Sequence, residues 1–295
     1  KIPPLMYDKI NIAYRRDKFK KRGRKMANYK VFSRTEKSRD ISHKLNEDCF
    51  LFTEYSFMND ERIKILAVAD GIGGLEQGEK ASFDAISGFS QSVYQSLLQE
   101  YMMHSAENFS MTYYAEKMEE IVKQAVKDAN RNVCEQTSPF VETGTTLSVV
   151  VILGDYAVLA NVGDSPVYYY RSKTKEFQLI SSLQTRAEQD VARGKYERYS
   201  EEYYENDHII YSSLGAREEL QNEDIFVNVI GYINSGDMFL VGSDGSFGRM
   251  KENEIYQIIS GEEEYTVLKE LFEEARKDKD DDQTAVFYKV CGEEW

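Results

Sequence analysis

With 295 residues, 41% of them hydrophobic, and a formal net charge of −14, the chain can form one large domain or two ordinary ones around a normal core. It has no apolar run near the roughly 20 residues of a membrane helix and no apolar signal-peptide core. Its three scattered cysteines, Cys49, Cys134 and Cys291, show neither zinc spacing nor a disulfide framework. The acidic balance disfavours DNA or RNA as the main ligand, and a cytoplasmic, monomeric protein is the expectation.

The N-terminus departs from that balance. Residues 1–25 hold ten Lys/Arg against Asp8 and Asp17, a net of +8, which leaves −22 on the other 270 residues. Residues 1–27 read as a loosely packed basic extension with Met26 as the natural start, or as a contact for an anionic partner. Residues 28–295 read as one domain, closed by contact between its first and last strands.

Along the chain, Asn46-Glu47-Asp48 precedes an apolar run, and residues 63–69 (Ile-Lys-Ile-Leu-Ala-Val-Ala) read as a buried strand. It runs into Asp70-Gly71-Ile72-Gly73-Gly74, where the glycines allow a tight turn and close backbone approach. Residues 78–103 are helical in pattern, and a second helix over 113–135 carries Met118, Ile121, Val122, Ala125, Ala129 and Val133 on one stripe. Residues 145–153 and 156–162 form a hairpin about Gly154-Asp155. Gly163-Asp164-Ser165 follows, then a second hairpin, 167–171 with 176–180.

Residues 183–208 are polar, Tyr/Glu-rich and poorly periodic, and read as a surface insertion or flap. Strands over 225–230 and 237–241 lead to Ser243-Asp244-Gly245. Helices over 251–260 and 264–277 come next, and Asp280-Asp281-Asp282 introduces a last strand over 284–290. Hairpins dominate over βαβ alternation, which predicts an α+β fold of antiparallel sheets with helices outside.

Taken singly, each carboxylate has an ordinary explanation: a turn at Asp164 or Asp244, a helix cap at 46–48, a solvated charge run at 280–282. Asp70 and its glycines also invite comparison with a phosphate loop, but the Lys-Ser/Thr of that loop is missing, and no second βαβ unit supports a dinucleotide fold. Together, all five groups fall at strand edges and can meet at one end of a sandwich. Buried carboxylates need partners, and hard cations take oxygen ligands.

The ordered set of motifs resembles the metal-dependent Ser/Thr protein phosphatases of type 2C over about residues 30–290. The set is Asn46-Glu47-Asp48, Asp70-Gly71-Ile72-Gly73-Gly74, Thr143-Gly144-Thr145-Thr146-Leu147, Asn161-Val162-Gly163-Asp164-Ser165, Ser213-Leu214-Gly215, Gly242-Ser243-Asp244-Gly245 and Asp281-Asp282-Gln283-Thr284. The resemblance implies a four-layer αββα sandwich and a centre of two Mn²⁺ or Mg²⁺ ions with Asp48, Asp70, Asp244 and Asp281 as its catalytic carboxylates. Asp70 would bridge the ions and the Gly71 carbonyl would add an oxygen. Asp244 and Asp281 would hold one ion, and Glu47 and Asp48 would orient water on the other. Asp164, with Asp244, matches a third, weaker ion position. Two such cations roughly 3.5–4 Å apart activate a water and neutralise phosphoryl charge. The implied partners are a phosphorylated protein and a Ser/Thr kinase that shares its targets.

The chain departs from that pattern at four places. His43, followed by Lys44, stands where the family places a phosphate-binding Arg, and neither supplies a bidentate fork. Ile72 replaces a His found in some relatives, Pro166 replaces an Arg, and the usual Asp-His segment is not visible around 179–186. His43 and Pro166 keep a second reading open, a regulatory module that binds phosphoproteins without turnover. An unrelated metal-dependent nuclease or ATPase is a third.

Overall fold

The computed structural model describes residues 28–41, 44–57, 61–72, 77–103, 111–136, 142–261 and 263–292. The basic extension lies outside them, as do His43, Gly73 and Gly74.

Ten strands form two five-stranded antiparallel sheets among the described residues. One sheet contains β2 (Asp48–Ser56), β3 (Arg62–Asp70), β4 (Leu147–Leu153), β5 (Tyr156–Val162) and β8 (Phe226–Tyr232), in that spatial order. The other contains β1 (Tyr29–Glu36), β10 (Gln283–Val290), β9 (Met238–Gly242), β6 (Val167–Arg171) and β7 (Glu176–Leu179), also in that order. Helices α1 (Gly78–Met103) and α2 (Met111–Gln136) cover the first sheet, and α5 (Glu252–Gly261) and α6 (Val267–Ala275) cover the second. The predicted α+β, four-layer αββα sandwich is the fold observed.

Strand alternation explains how one apolar run serves two layers. On β3, Ile63, Ile65, Ala67 and Ala69 face the helices with Phe89, Val93 and Met118. Leu66 and Val68 face the opposite sheet with Phe239, Val241 and Val286. Side chains two apart share a face of a strand, so a strand buried on both faces reads as continuous hydrophobicity. The buried stripe of α6, Val267, Leu268, Leu271, Phe272 and Ala275, packs the second helical layer onto its sheet.

The predicted elements match the observed ones within a few residues, while β1 was not assigned from the sequence. The 183–208 segment, read from the sequence as a surface insertion or flap, contains regular structure. It holds two short helices, α3 (Arg186–Ala192) and α4 (Glu201–Tyr204), each N-capped by a hydroxyl, Thr185 and Ser200. Ala187 and Tyr203 are buried, and Glu188 accepts from both Arg198 (2.6 Å) and Tyr203 (2.7 Å).

Candidate metal centre

Antiparallel pairing brings the carboxylates together. In the β2–β3 ladder Asp48 stands opposite Asp70, so the first residue of one strand meets the last of its neighbour. The turn Gly163-Asp164-Ser165 leaves the same end of β5, Ser243-Asp244 leaves β9, and residues 280–282 enter β10 there. The strand ends deliver Asp48, Asp70, Asp164, Asp244 and Asp281 to one edge of the sandwich.

Hydroxyls hold this edge in place. Thr146 donates its N–H (2.8 Å), and Thr145 its hydroxyl (2.9 Å), to the Asp70 carbonyl, while the Asp70 N–H donates to Thr146 Oγ1 (2.9 Å). Ser243 Oγ donates to Asp48 Oδ2 at 2.7 Å. The other oxygen, Asp48 Oδ1, is buried without a hydrogen-bond partner. Gly71 is packed so closely that a β-carbon there would fall 2.5 Å from the Gly78 backbone and 2.8 Å from the Glu47 carbonyl. The Glu47 carboxyl in turn lies against Gly78 at the start of α1, 3.1 Å from where a β-carbon would stand. At Gly163, φ of +95° makes the turn into Asp164, a conformation that suits glycine.

The electrostatics are those of like charges forced together. Burial first, then the charges of Asp48, Asp244, Asp164 and Asp281, raise Asp70 well above the usual carboxylate range. Burial raises Asp48 to about 8, against the side chains of Ser243 and Thr284 and with help from Asp282 and Asp244. Asp164 is also raised to about 8, by burial and then by Asp244. Burial pushes Asp244 upward too, but the Lys279 ammonium, with hydrogen bonds from Asp70 and the Gly245 N–H, holds it below the ordinary value. Lys279 Nζ lies 2.9 Å from Asp244 Oδ2 and 2.8 Å from Asp281 Oδ2.

These features fit hard cations. The donor set is oxygen, one buried carboxylate oxygen lacks a partner, and a positive group already lies between two of the carboxylates. Among the described residues, no three His, Cys, Asp or Glu side chains converge at metal-binding distance.

The neighbouring acids have another task. Asp282 accepts the Ser38 N–H and the Glu47 N–H, both at 2.7 Å, and ties the connection between β1 and β2 to the start of β10. Asp280 accepts from Ser38 Oγ (3.2 Å) and pairs with Arg276 (3.6 Å). Lys44 is exposed on the approach to β2. Pro166 accepts the Gly242 N–H at 3.1 Å. It also lines a cavity of about 270 Å³ beside the carboxylates, walled by Tyr199, Tyr203 and Tyr204 of the 183–208 segment. Sequence reasoning missed Lys279 and Ser243. The only visible signal was a lysine two residues before Asp281 in an acidic run, and a serine immediately before Asp244.

The model of the protein phosphatase 2C family matches residues 37–279. The chain belongs to that family. Among curated members it resembles protein phosphatase PhpP of Streptococcus pneumoniae, 24% identical over 206 residues that cover 70% of this chain and 76% of PhpP. The serine/threonine phosphatase stp of Listeria monocytogenes is 23% identical over 224 residues, 73% of this chain and 79% of that protein. The catalytic domain of the Ser/Thr protein phosphatase PstP in complex with two manganese ions superposes with a TM-score of 0.64 at 22% identity, covering 90% of this chain and 99% of that one. Among the described residues of this 2C phosphatase, no helix is long and apolar enough to cross a membrane.

Proposed function

We propose that this metal-dependent protein phosphatase hydrolyses phospho-Ser/Thr esters on proteins, using the carboxylates at the open edge of the sandwich to hold two Mn²⁺ or Mg²⁺ ions. One observation carries the reading: five aspartates from different strand ends meet at this edge, where burial and neighbouring charges raise Asp48, Asp70 and Asp164, and an oxygen of Asp48 is buried and unpartnered. Only cations make such a cluster favourable once its protons are gone. The bound ions supply Lewis-acid charge and an activated water.

The residues divide the work by position. Asp70, central to the cluster, and the Gly71 backbone suit contact with both ions. Asp244 and Asp281 suit one ion, and Asp48, held by Ser243, with Glu47, suits the orientation of water on the other. Asp164 suits a third ion. Lys44 and His43 remain candidates for the phosphate. The pairing of β1 with β10 along Tyr29–Glu36 supports treating 28–295 as one catalytic unit. Free Cys49, Cys134 and Cys291 support a reducing, cytoplasmic setting. A Ser/Thr kinase acting on the same proteins would supply the substrate. A complete carboxylate set and relatives named as phosphatases favour turnover over phosphoprotein binding alone.

The test is hydrolysis of an aryl phosphate and of phosphopeptides with Mn²⁺. Activity is expected with the ion and none with EDTA, and Asp70→Asn is expected to lower it by more than about a hundredfold. Folded wild-type protein that is inert with every divalent ion would overturn the reading.

A further inference from the structure

We propose that Lys279 is a tethered stand-in cation: without metal its ammonium bridges Asp244 and Asp281, and an ion enters that half of the centre only by displacing it. This rests on the reading of Asp244 and Asp281 as ion ligands.

The geometry resembles a cation site already filled from within. One Nζ reaches Oδ2 of both aspartates, at 2.9 and 2.8 Å, and charge-assisted contacts of that length are strong for their kind. Asp244 and Asp281 come from different elements, so the lysine does what a bridging ion would do, pulling the β9 end against the β10 entry. Among the described residues it is the cation that ion-pairs with members of this cluster.

The contact is also displaceable. The Lys279 side chain is 45% exposed, and a four-carbon stem with a compact ammonium can swing without backbone change. The backbone beneath it has its own anchors. Arg276 holds Glu36 at 2.5 Å, Asp280 takes the Ser38 hydroxyl, and Asp282 takes two N–H groups. The displaced ammonium has a destination in the adjoining cavity, which Lys279 itself lines together with Asp207 and Asp278. Charge balance makes the exchange a competition. A divalent ion outweighs a single ammonium on the same two carboxylates, but it must first break two ion pairs. The lysine therefore steadies the metal-free fold and weakens metal binding at this half of the centre.

The experiment uses the full chain stripped with EDTA, titrated with Mn²⁺ by calorimetry at fixed pH and melted with and without the ion. Lys279→Gln is expected to bind Mn²⁺ roughly tenfold more tightly than wild type. Its metal-free Tm falls, and its Tm gain on adding Mn²⁺ is larger than that of wild type. Lys279→Arg keeps the charge and should bind no more tightly than wild type. Lys277→Gln, which removes an exposed pair with Glu274, should match wild type in both readouts. A merely structural lysine would lower both melting temperatures equally and leave the Mn²⁺ increment unchanged, which would overturn the proposal. An Arg variant that binds tenfold more tightly would overturn it as well, and that arm stands even if the Gln variant does not fold. If Asp70→Asn weakens Mn²⁺ binding but Lys279→Gln changes nothing, this inference alone fails. If wild type and every variant ignore Mn²⁺, the metal reading fails and this falls with it.

Discussion

Ser243 shows how much of this centre depends on neutral side chains. Its hydroxyl donates to Asp48 Oδ2 (2.7 Å) and accepts the Thr284 N–H (3.0 Å), so one residue joins β9, β10 and β2 where the carboxylates meet. Its side chain is wholly buried, and removing the hydroxyl strands a donor and an acceptor. Ser243→Ala is expected to cost about 1–3 kcal/mol in denaturant unfolding and to depress Mn²⁺-dependent turnover by freeing the Asp48 carboxyl. Unchanged stability would show that the hydroxyl bonds add nothing. At this scale the sequence was informative about charge and poor about partners. Asp48, Asp70, Asp164, Asp244 and Asp281 were visible because each interrupts an apolar pattern at its edge. Asp282 looked the same in the chain as Asp281, yet it clamps two backbone N–H groups. Spacing alone does not reveal which way adjacent side chains turn where a coil enters a strand.

Gln184 plays a corresponding part between elements. Its Oε1 accepts the Gly163 N–H at 2.7 Å, its Nε2 donates to the Asp224 carbonyl at 2.9 Å, and its own N–H donates to the Gly163 carbonyl at 3.0 Å. The base of the 183–208 segment is thereby tied to the turn that presents Asp164. Gln184→Ala leaves buried groups unpaired and is expected to cost roughly 2–3 kcal/mol, with activity falling as the Asp164 turn loosens. Gln184→Glu, which keeps the acceptor facing Gly163, should retain more activity. Equal activity in all three proteins would sever the segment from the centre. This segment was the least legible element. Helices of seven and four residues are shorter than the window in which a 3.6-residue period shows. The long helices α1 and α2 and the doubly buried β3 were read nearly to their ends, because burial of whole faces imposes the period on many residues.

Across the molecule, the charge state of the cluster links folding to pH. Asp48 and Asp164 move from an ordinary value of 3.8 to about 8 in the folded chain, and Asp70 moves the same way. A carboxyl raised on folding holds its proton more tightly in the native state. The stability it contributes is complete below the unfolded value and is lost as pH climbs through the folded one. Carboxylates lowered on folding, such as Asp244 and Asp237, contribute stability that is complete above their unfolded values and is lost only as pH falls below them, outside this range. The metal-free protein should therefore melt at progressively lower temperature between about pH 5 and pH 8.5. Mn²⁺ should reverse that trend, since its ligands must be deprotonated. Differential scanning calorimetry in EDTA checks this, and a Tm that rises with pH would contradict it. By itself the sequence determined the class of fold and the acids at strand edges, since these follow from local periodicity and from residue types that tolerate few alternatives, and the ordered motifs carried the resemblance to the family. Only the tertiary structure decided which acids face one another, which of them clamp the backbone, and that Lys279 spans Asp244 and Asp281. Those contacts join residues such as Ser38 and Asp282, or Asp48 and Ser243, that are far apart in the chain. They exist only once strand order and register have been chosen.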